Sequence, residues 1–365
     1  MNNFILHKDM EDIFSRNINW EQLDGKTILL TGAYGMLASY IVYFVDYLNS
    51  VSKIDVSLIA AVRNPQKFKT KFPSISEQKY IRIVKNDLNE RIEIDEDIDY
   101  IIHAASLASP QYYSKCPVDV MLPNTIGTNN LLKLAIDKKV EGFLLFSSVD
   151  IYGSIEKNGL FDENNQGTLN TLDIHNCYSE SKRMAETMCK AYQIQYGVPV
   201  KIARIAHTYA PTMDIENDPR VFSSFTKNIV ENRNIEMKSD GSGKRTFCYI
   251  TDAVAGYFTI LLNGASGEAY NVCNTSQYIS VIELAECLVN LYPEKKLKVI
   301  RKQRDKSEHY TENTLLVGKT NIADNSKLKQ LGWEPRVDIK EGFKRVISYL
   351  TDSIDHTCES PQLNN

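Results

Sequence analysis

Tyr178 and Lys182 stand four residues apart in the run YSESKRMAE, a spacing that projects both side chains from one face of a helix. An ammonium beside a phenol favours the phenolate and would pull the Tyr178 pKa below its ordinary value of about 10. Tyr178 then becomes a general base able to take the proton of an alcohol, while Lys182 can also hold a ribose. Upstream, Ser147 and Ser148 end an apolar run and lead into Val149-Asp150-Ile151-Tyr152-Gly153. A hydroxyl at the C-terminal edge of a strand faces the crevice where open α/β sheets bind ligands. Counting back from the Tyr-Gly turn selects Ser148, rather than Ser147, as donor to an oxygen that becomes a ketone. Asp150 is a candidate acid or base, or else an Asp that caps a turn.

Such groups act only if a rigid frame holds them, and the chain supplies one. TILLT (Thr27–Thr31) reads as a strand with both faces covered. Further strands are expected at Val56–Val62, Tyr80–Val84, Tyr100–His103, Phe143–Ser147 and Val200–Ile205, with helices at Asn124–Ile136 and Tyr178–Tyr196. Strands alternating with helices predict the α/β class, a Rossmann-type doubly wound parallel sheet. After about Ile205 the pattern loosens into loops rich in Asp, Asn, Gly and Pro, which predicts a smaller C-terminal α/β substrate-binding lobe. The expected division is an N-terminal extension over 1–24, a dinucleotide-binding domain over 25–205, and a substrate lobe over 206–350, with the chain free to cross back. A final helix at Lys340–Leu350 would precede a flexible tail over 351–365.

Between the first strand and first helix lies Gly32-Ala33-Tyr34-Gly35-Met36-Leu37. Glycines there permit a tight turn and close backbone approach, so the helix N-terminus can face a pyrophosphate. In this strand–turn–helix setting the motif predicts a bound dinucleotide. The second strand ends in Val62-Arg63-Asn64, without the acid that grips the adenosine ribose of NAD; Arg63 would suit the 2′-phosphate of NADP, and both cofactors stay open. Asp87 and Leu88 follow the third strand at an adenine-contacting position. Ala104, Ala105 and Ser106 put small residues where the nicotinamide end must approach the backbone.

Composition narrows the partners. The 365 residues are 43% hydrophobic and 24% charged, with a net charge of −4, which gives no reason to expect nucleic acid. The seven cysteines form no CxxC pair, consistent with reduced thiols and a cytoplasmic location rather than disulfides or zinc. Residues 27–45 carry no charge, but Gly32 and Gly35 break them as strand, turn and helix rather than a membrane span. An anionic substrate needs local cations, and Arg220 and Arg245 are the best placed in the second lobe, suited to phosphate or carboxylate. Tyr112 and Tyr113 could donate hydroxyls to a sugar carboxylate, or simply pack. His103 and His207 lack the companions of a metal site.

These motifs, with HAASLASP, NTIGTNNLL, FSSVDIYG and RTFCYITDA, make the chain resemble the extended short-chain dehydrogenase/reductases of the NAD-dependent epimerase/dehydratase family, which act on nucleotide sugars. It is most similar there to UDP-glucuronate decarboxylases, through Ala108–Tyr113, KRMAETMC, Ala203–Ile205 and Arg220-Val221. The resemblance implies a tightly bound NAD or NADP regenerated in each cycle, with Asn124 among its contacts and Ser109 and His207 among those to a nucleotide-diphosphate sugar. It also implies a homodimer through the helices at Asn124–Ile136 and Tyr178–Tyr196. Oxidation of the sugar at C4 opens three outcomes: loss of CO2 from a glucuronate, inversion by a 4-epimerase, or water loss by a 4,6-dehydratase. A non-catalytic NAD(P)-binding sensor is a further alternative, opposed by the joint presence of Ser148, Tyr178 and Lys182. The chain departs from the pattern at Asp150, where Glu is general, at Val149, where dehydratases often carry an acid or Ser, at His207, where Asn is usual, and at Ala210 and Thr212.

Overall fold

Runs rich in Val, Ile and Leu bury both faces when helices cover a sheet from two sides. The computed structural model, which describes residues 3–155, 159–302 and 321–358, has this arrangement. Five strands come from the first half of the chain: β1 (Lys26–Thr31), β2 (Val56–Val62), β3 (Ile81–Lys85), β4 (Tyr100–His103) and β5 (Gly142–Ser148). With β6 (Val200–Ile205) and β7 (Glu268–Val272) they form one seven-stranded sheet in the order β7-β6-β5-β4-β1-β2-β3. Every neighbouring pair is parallel. The order reverses between β1 and β4, so their carboxyl ends open a crevice. Alternate residues serve the two faces: Ile28, Leu30, Leu58 and Ile102 enter one core cluster, Leu29, Ile59, Ile101 and Phe143 the other.

Strand β7 lies well past residue 205, where the alternation was expected to give way. The chain returns to the main sheet there, pairing Glu268 with Lys201 through to Val272 with Ile205. The remaining C-terminal segments build smaller pieces. His207–Tyr209, Lys244–Tyr249 and Tyr278–Ser280 form a three-stranded sheet, and Ile235–Met237 pairs with Val299–Arg301. Helices Val221–Val230, Val281–Asn290 and Ile339–Cys358 pack together beside them.

Two further helices depart from the expected bounds, and the N-terminal extension joins the core. The helix expected from Asn124 begins earlier, at Pro117, and passes through a wider π turn at Pro123–Gly127 before continuing as Thr128–Lys138; a proline without an N–H loosens the hydrogen-bond ladder there. Residues Phe4–Phe14 form a helix that belongs to the core. Its Asp9 is buried and takes the Tyr40 and Tyr249 hydroxyls at 2.8 and 2.7 Å and the Arg345 guanidinium at 2.9 Å. The last helix runs through Cys358, past the tail boundary expected at 351, while residues 359–365 lie outside the described ones. Among the described residues no helix is long and apolar enough to cross a membrane.

Candidate active site

The crevice between β1 and β4 is shaped by the glycine turn. Gly32 has a φ of +66°, and a Cβ on it would come within 2.8 Å of the Ala105 Cα, so glycine alone permits this close approach. Gly35 closes the turn, its N–H donating to the Gly32 carbonyl at 2.8 Å, and begins helix Met36–Tyr47 with no side-chain cap. The first N–H groups of that helix, from Met36 and Leu37, therefore keep their donors open for an anion. Across the crevice the Thr31 hydroxyl accepts the N–H groups of Ala104 and Ala105, both at 3.1 Å. It also bonds the His103 Nδ1 at 3.0 Å, and His103 Nε2 bonds the Pro123 carbonyl at 3.1 Å. Burial and nearby Lys182 lower the His103 pKa to about 3; a neutral ring thus ties β4 to the Pro123 turn.

Several polar atoms around this crevice are buried without a protein partner: the hydroxyls of Ser106 and Ser109, and the side-chain carbonyls of Asn86 and Asn124. Asn124 meanwhile donates to Val120 and Ser181, both at 3.0 Å. Unsatisfied buried groups beside open helix donors and a glycine cradle fit a polar dinucleotide. Leu88 is buried against Gly127. Asp87 lies beside the end of β2, because the neighbouring Asn86 N–H bonds the Val62 carbonyl at 3.1 Å, and its own carboxylate accepts the Asn89 N–H at 3.0 Å. Arg63 is exposed there.

At the carboxyl end of β5 the residues singled out for chemistry converge. Tyr178 and Lys182 lie on helix Cys177–Tyr196, both buried, with the Lys182 Nζ 5.8 Å from the centre of the Tyr178 ring. The Ser148 hydroxyl lies within hydrogen-bonding reach of the Tyr178 phenol and the Asp150 carboxyl, and accepts the Asp150 N–H at 3.1 Å. Ser147 turns the other way, its hydroxyl 2.5 Å from Glu186. Tyr113 stacks on Tyr178 with ring centres 5.4 Å apart.

The protonation expected of Tyr178 does not follow in this cleft. Burial pushes the phenol above its ordinary value, the Asp150 carboxylate pushes it the same way, and Ser148 and Arg220 only partly offset them. Lys182 gives no compensating pull because burial lowers its own pKa to about 7. Its Nζ donates to the Phe146 carbonyl at 2.6 Å. Asp150 is open to solvent but lies at the cleft floor, where desolvation raises its carboxyl against the pull of Ser148, Arg245 and Arg220.

The C-terminal segments supply the opposite wall. Arg245, on Lys244–Tyr249, donates to the Lys244 carbonyl at 2.7 Å and pairs with no carboxylate among the described residues. Arg220, expected to be free for phosphate or carboxylate, is gripped by Asp218 instead, with Nε contacts of 2.9 and 2.8 Å. The two sit side by side in a tight turn, in which the Asp218 carboxylate also accepts the Arg220 N–H at 3.1 Å. His207 faces both arginines, which with burial lower its pKa to about 3. Tyr113 directs its hydroxyl to the Ala108 carbonyl at 3.1 Å, and Tyr112 packs beside it.

Sequence reasoning passed over a network behind the cleft. Arg204 on β6 grips Glu186 through contacts of 3.1, 3.3 and 2.8 Å and reaches the Tyr152 hydroxyl at 2.9 Å. Tyr152 donates to Asn271 on β7 at 2.7 Å. The available signal was the spacing of Glu186, one turn beyond Lys182 on the same helix face.

A Rossmann sheet with a dinucleotide cradle at its switch point and a Ser-Tyr-Lys cluster beside it defines the class as a nicotinamide-dependent dehydrogenase fold. A profile of the NAD dependent epimerase/dehydratase family matches residues 28–273, and the chain belongs to that family. It is 32% identical over 321 residues to UDP-glucuronic acid decarboxylase 6 of Arabidopsis thaliana, covering 87% of this chain and 86% of the relative. It is 31% identical over 340 residues to UDP-glucuronic acid decarboxylase 1 of Danio rerio, covering 91% and 74%. Among solved structures, a UDP-glucuronic acid 4-epimerase from Bacillus cereus in complex with NAD superposes with a TM-score of 0.72 at 20% identity, over 90% of this chain and 98% of that one.

Proposed function

We propose that this chain is a nucleotide-sugar decarboxylase that oxidises C4 of a UDP-glucuronate-class substrate, releases its C5 carboxylate as CO2, and reduces C4 again. One observation carries the reading: Ser148, Asp150 and Tyr178 come together at the end of β5, with the cations Arg245 and Arg220 near enough to act on the Asp150 carboxyl. The similarity to two UDP-glucuronic acid decarboxylases supports the substrate class.

Ser148 donates to the C4 oxygen and Tyr178 removes its proton, the two groups being already in mutual hydrogen-bonding reach. A nicotinamide dinucleotide held at the glycine turn and by Lys182 would supply the hydride acceptor for C4 and a positive ring charge that favours the Tyr178 phenolate. The C4 ketone makes the substrate a β-keto acid, so the C5–carboxylate bond breaks with its electron pair passing into an enolate. Asp150, whose carboxyl burial pushes up from its ordinary range, is the acid assigned here to return a proton to C5. Val149 in place of a second acid leaves no group to protonate a departing C6 hydroxyl, which disfavours dehydration. Arg245 suits the diphosphate or the carboxylate, and Arg220, already balanced by Asp218, shapes the wall.

Incubation with UDP-glucuronate, UDP-glucose and dTDP-glucose in separate tubes, followed by NMR, tests the proposal. CO2 and a UDP-pentose from the first alone are expected. Conversion of glucuronate to its C4 epimer without CO2, or an altered hexose beside unchanged glucuronate, contradicts it.

A further inference from the structure

Glu186 lies one turn beyond Lys182 on helix Cys177–Tyr196, and no step of the proposed reaction uses it. Its side chain is held from two strands. The Ser147 hydroxyl on β5 donates to it at 2.5 Å, and the Arg204 guanidinium on β6 grips both its oxygens, the shortest contact being 2.8 Å. Ser147 and Arg204 are register partners on neighbouring parallel strands, so their side chains leave the sheet at one level and on one face. The residue before Ser147, Phe146, offers its carbonyl to the Lys182 Nζ at 2.6 Å. Two successive turns of the helix are thus tied to two successive residues of β5, immediately before Ser148.

A carboxylate fixed at that place bears on the charge of Lys182. Among the described residues the Lys182 Nζ bonds a carbonyl and forms no ion pair. The groups facing it are Tyr178, Glu186 and Cys189 from its own helix and His103 from β4. Burial and Lys182 itself keep His103 neutral, burial holds the Cys189 thiol protonated, and Tyr178 is a neutral phenol. Glu186 is therefore the group among them that brings negative charge, and it opposes the desolvation that lowers Lys182 to about 7. With that value at neutrality, a modest change either way decides whether Lys182 is mostly charged or mostly neutral.

We propose that Glu186 is a positioning residue for the proposed reaction: pinned by Ser147 and Arg204, it is the counter-charge that keeps Lys182 an ammonium beside the Tyr178 phenol. The proposal rests on the Ser-Tyr-Lys reading of the cleft and adds what governs its cation. Arg204 tempers the effect, because its guanidinium cancels part of the carboxylate's field. The two partners of one ion pair thus act on Lys182 with opposite sign.

Lysine labelled with 13C at Cε, followed by NMR against pH in the full chain stripped of nucleotide, reads the Lys182 ammonium directly, with Lys182→Met assigning the signal. The parent is expected to titrate at about 7. Glu186→Gln moves the midpoint down by about one pH unit, Arg204→Gln moves it up, and Glu186→Asp, which keeps the charge and its arginine, stays close to the parent. Sucrose in the buffer supports the folded form of each variant, and melting curves check it. A midpoint unmoved by Glu186→Gln, or moved the same way by the Glu186→Gln and Arg204→Gln substitutions as a merely loosened cleft would give, overturns the role. With UDP-glucuronate as substrate, Glu186→Gln should lower kcat about fivefold at neutral pH, the fraction of ammonium lost, and the deficit should narrow as pH falls. A deficit equal at every pH contradicts the role. A parent inactive on UDP-glucuronate overturns the proposed reaction instead, and the titration still decides the part played by Glu186.

Discussion

Burial, and after it the Asp150 carboxylate, hold Tyr178 as a neutral phenol, so the base of the proposed reaction calls for a further positive charge beside it. Tyr178→Phe is therefore expected to lower kcat by about 10²–10⁴-fold, the usual range for a lost acid–base group, with dinucleotide affinity retained; stopped assays and calorimetry on the same preparation check this. Lys182 gives a second prediction. Its pKa is about 7 in the folded chain against 10.5 for the ordinary side chain. Between those values the unfolded chain binds the extra proton, so unfolding free energy must rise with pH across that window. Urea titrations of the dinucleotide-free protein at low and high ends of the window should show this rise, and Lys182→Met should flatten it. The sequence made the Tyr-Lys pair legible because one helical turn is a local distance. It did not reveal the proton state, since burial and Asp150 arrive from residues remote in the chain.

Elements hold these groups through contacts that cross between strands. Glu186 and Arg204 join the Tyr178 helix to β6, with side chains only 11% and 12% exposed, and Tyr152 extends the link to Asn271 on β7. Glu186→Gln should lower unfolding free energy by about 3 kcal/mol, because it strips a buried arginine of its charge partner; the urea midpoint reads it. Gly32→Ala places a Cβ against Ala105 and forces a side chain into a left-handed backbone. A strain of about 1–3 kcal/mol should weaken dinucleotide binding about tenfold or more. The seven strands are legible up to β6 because each is a dense apolar run flanked by helical periodicity. Strand β7, Glu-Ala-Tyr-Asn-Val, alternates less clearly and follows a helix of the C-terminal half. Only pairing with β6 identifies it. The Glu186–Arg204 bond was hidden for a related reason, since its partners are distant in sequence and each alone reads as a solvated charge.

At the scale of the molecule, the segment after the first helix and the stretch Glu334–Val337 close on the core together. Arg16, just after the first helix, donates to buried Asp252 at 2.7 Å and to the Glu334 carbonyl at 3.0 Å. Asp252 also accepts the Arg336 and Val337 N–H groups at 2.8 and 3.0 Å. Arg16→Met should cost roughly 3 kcal/mol of stability, again by orphaning a buried charge, with activity per folded molecule unchanged. Composition could not show this clamp, because an amphipathic N-terminal segment looks the same whether it docks or not. In the proposed reaction hydride leaves C4 and comes back to it. UDP-glucuronate carrying deuterium at C4 tests that cycle most directly, with the pentose product examined by NMR and mass spectrometry. The label retained at C4 of a decarboxylated product is the expected result; a decarboxylated product that has lost it to solvent, or a substrate returned with its carboxylate intact, contradicts the account.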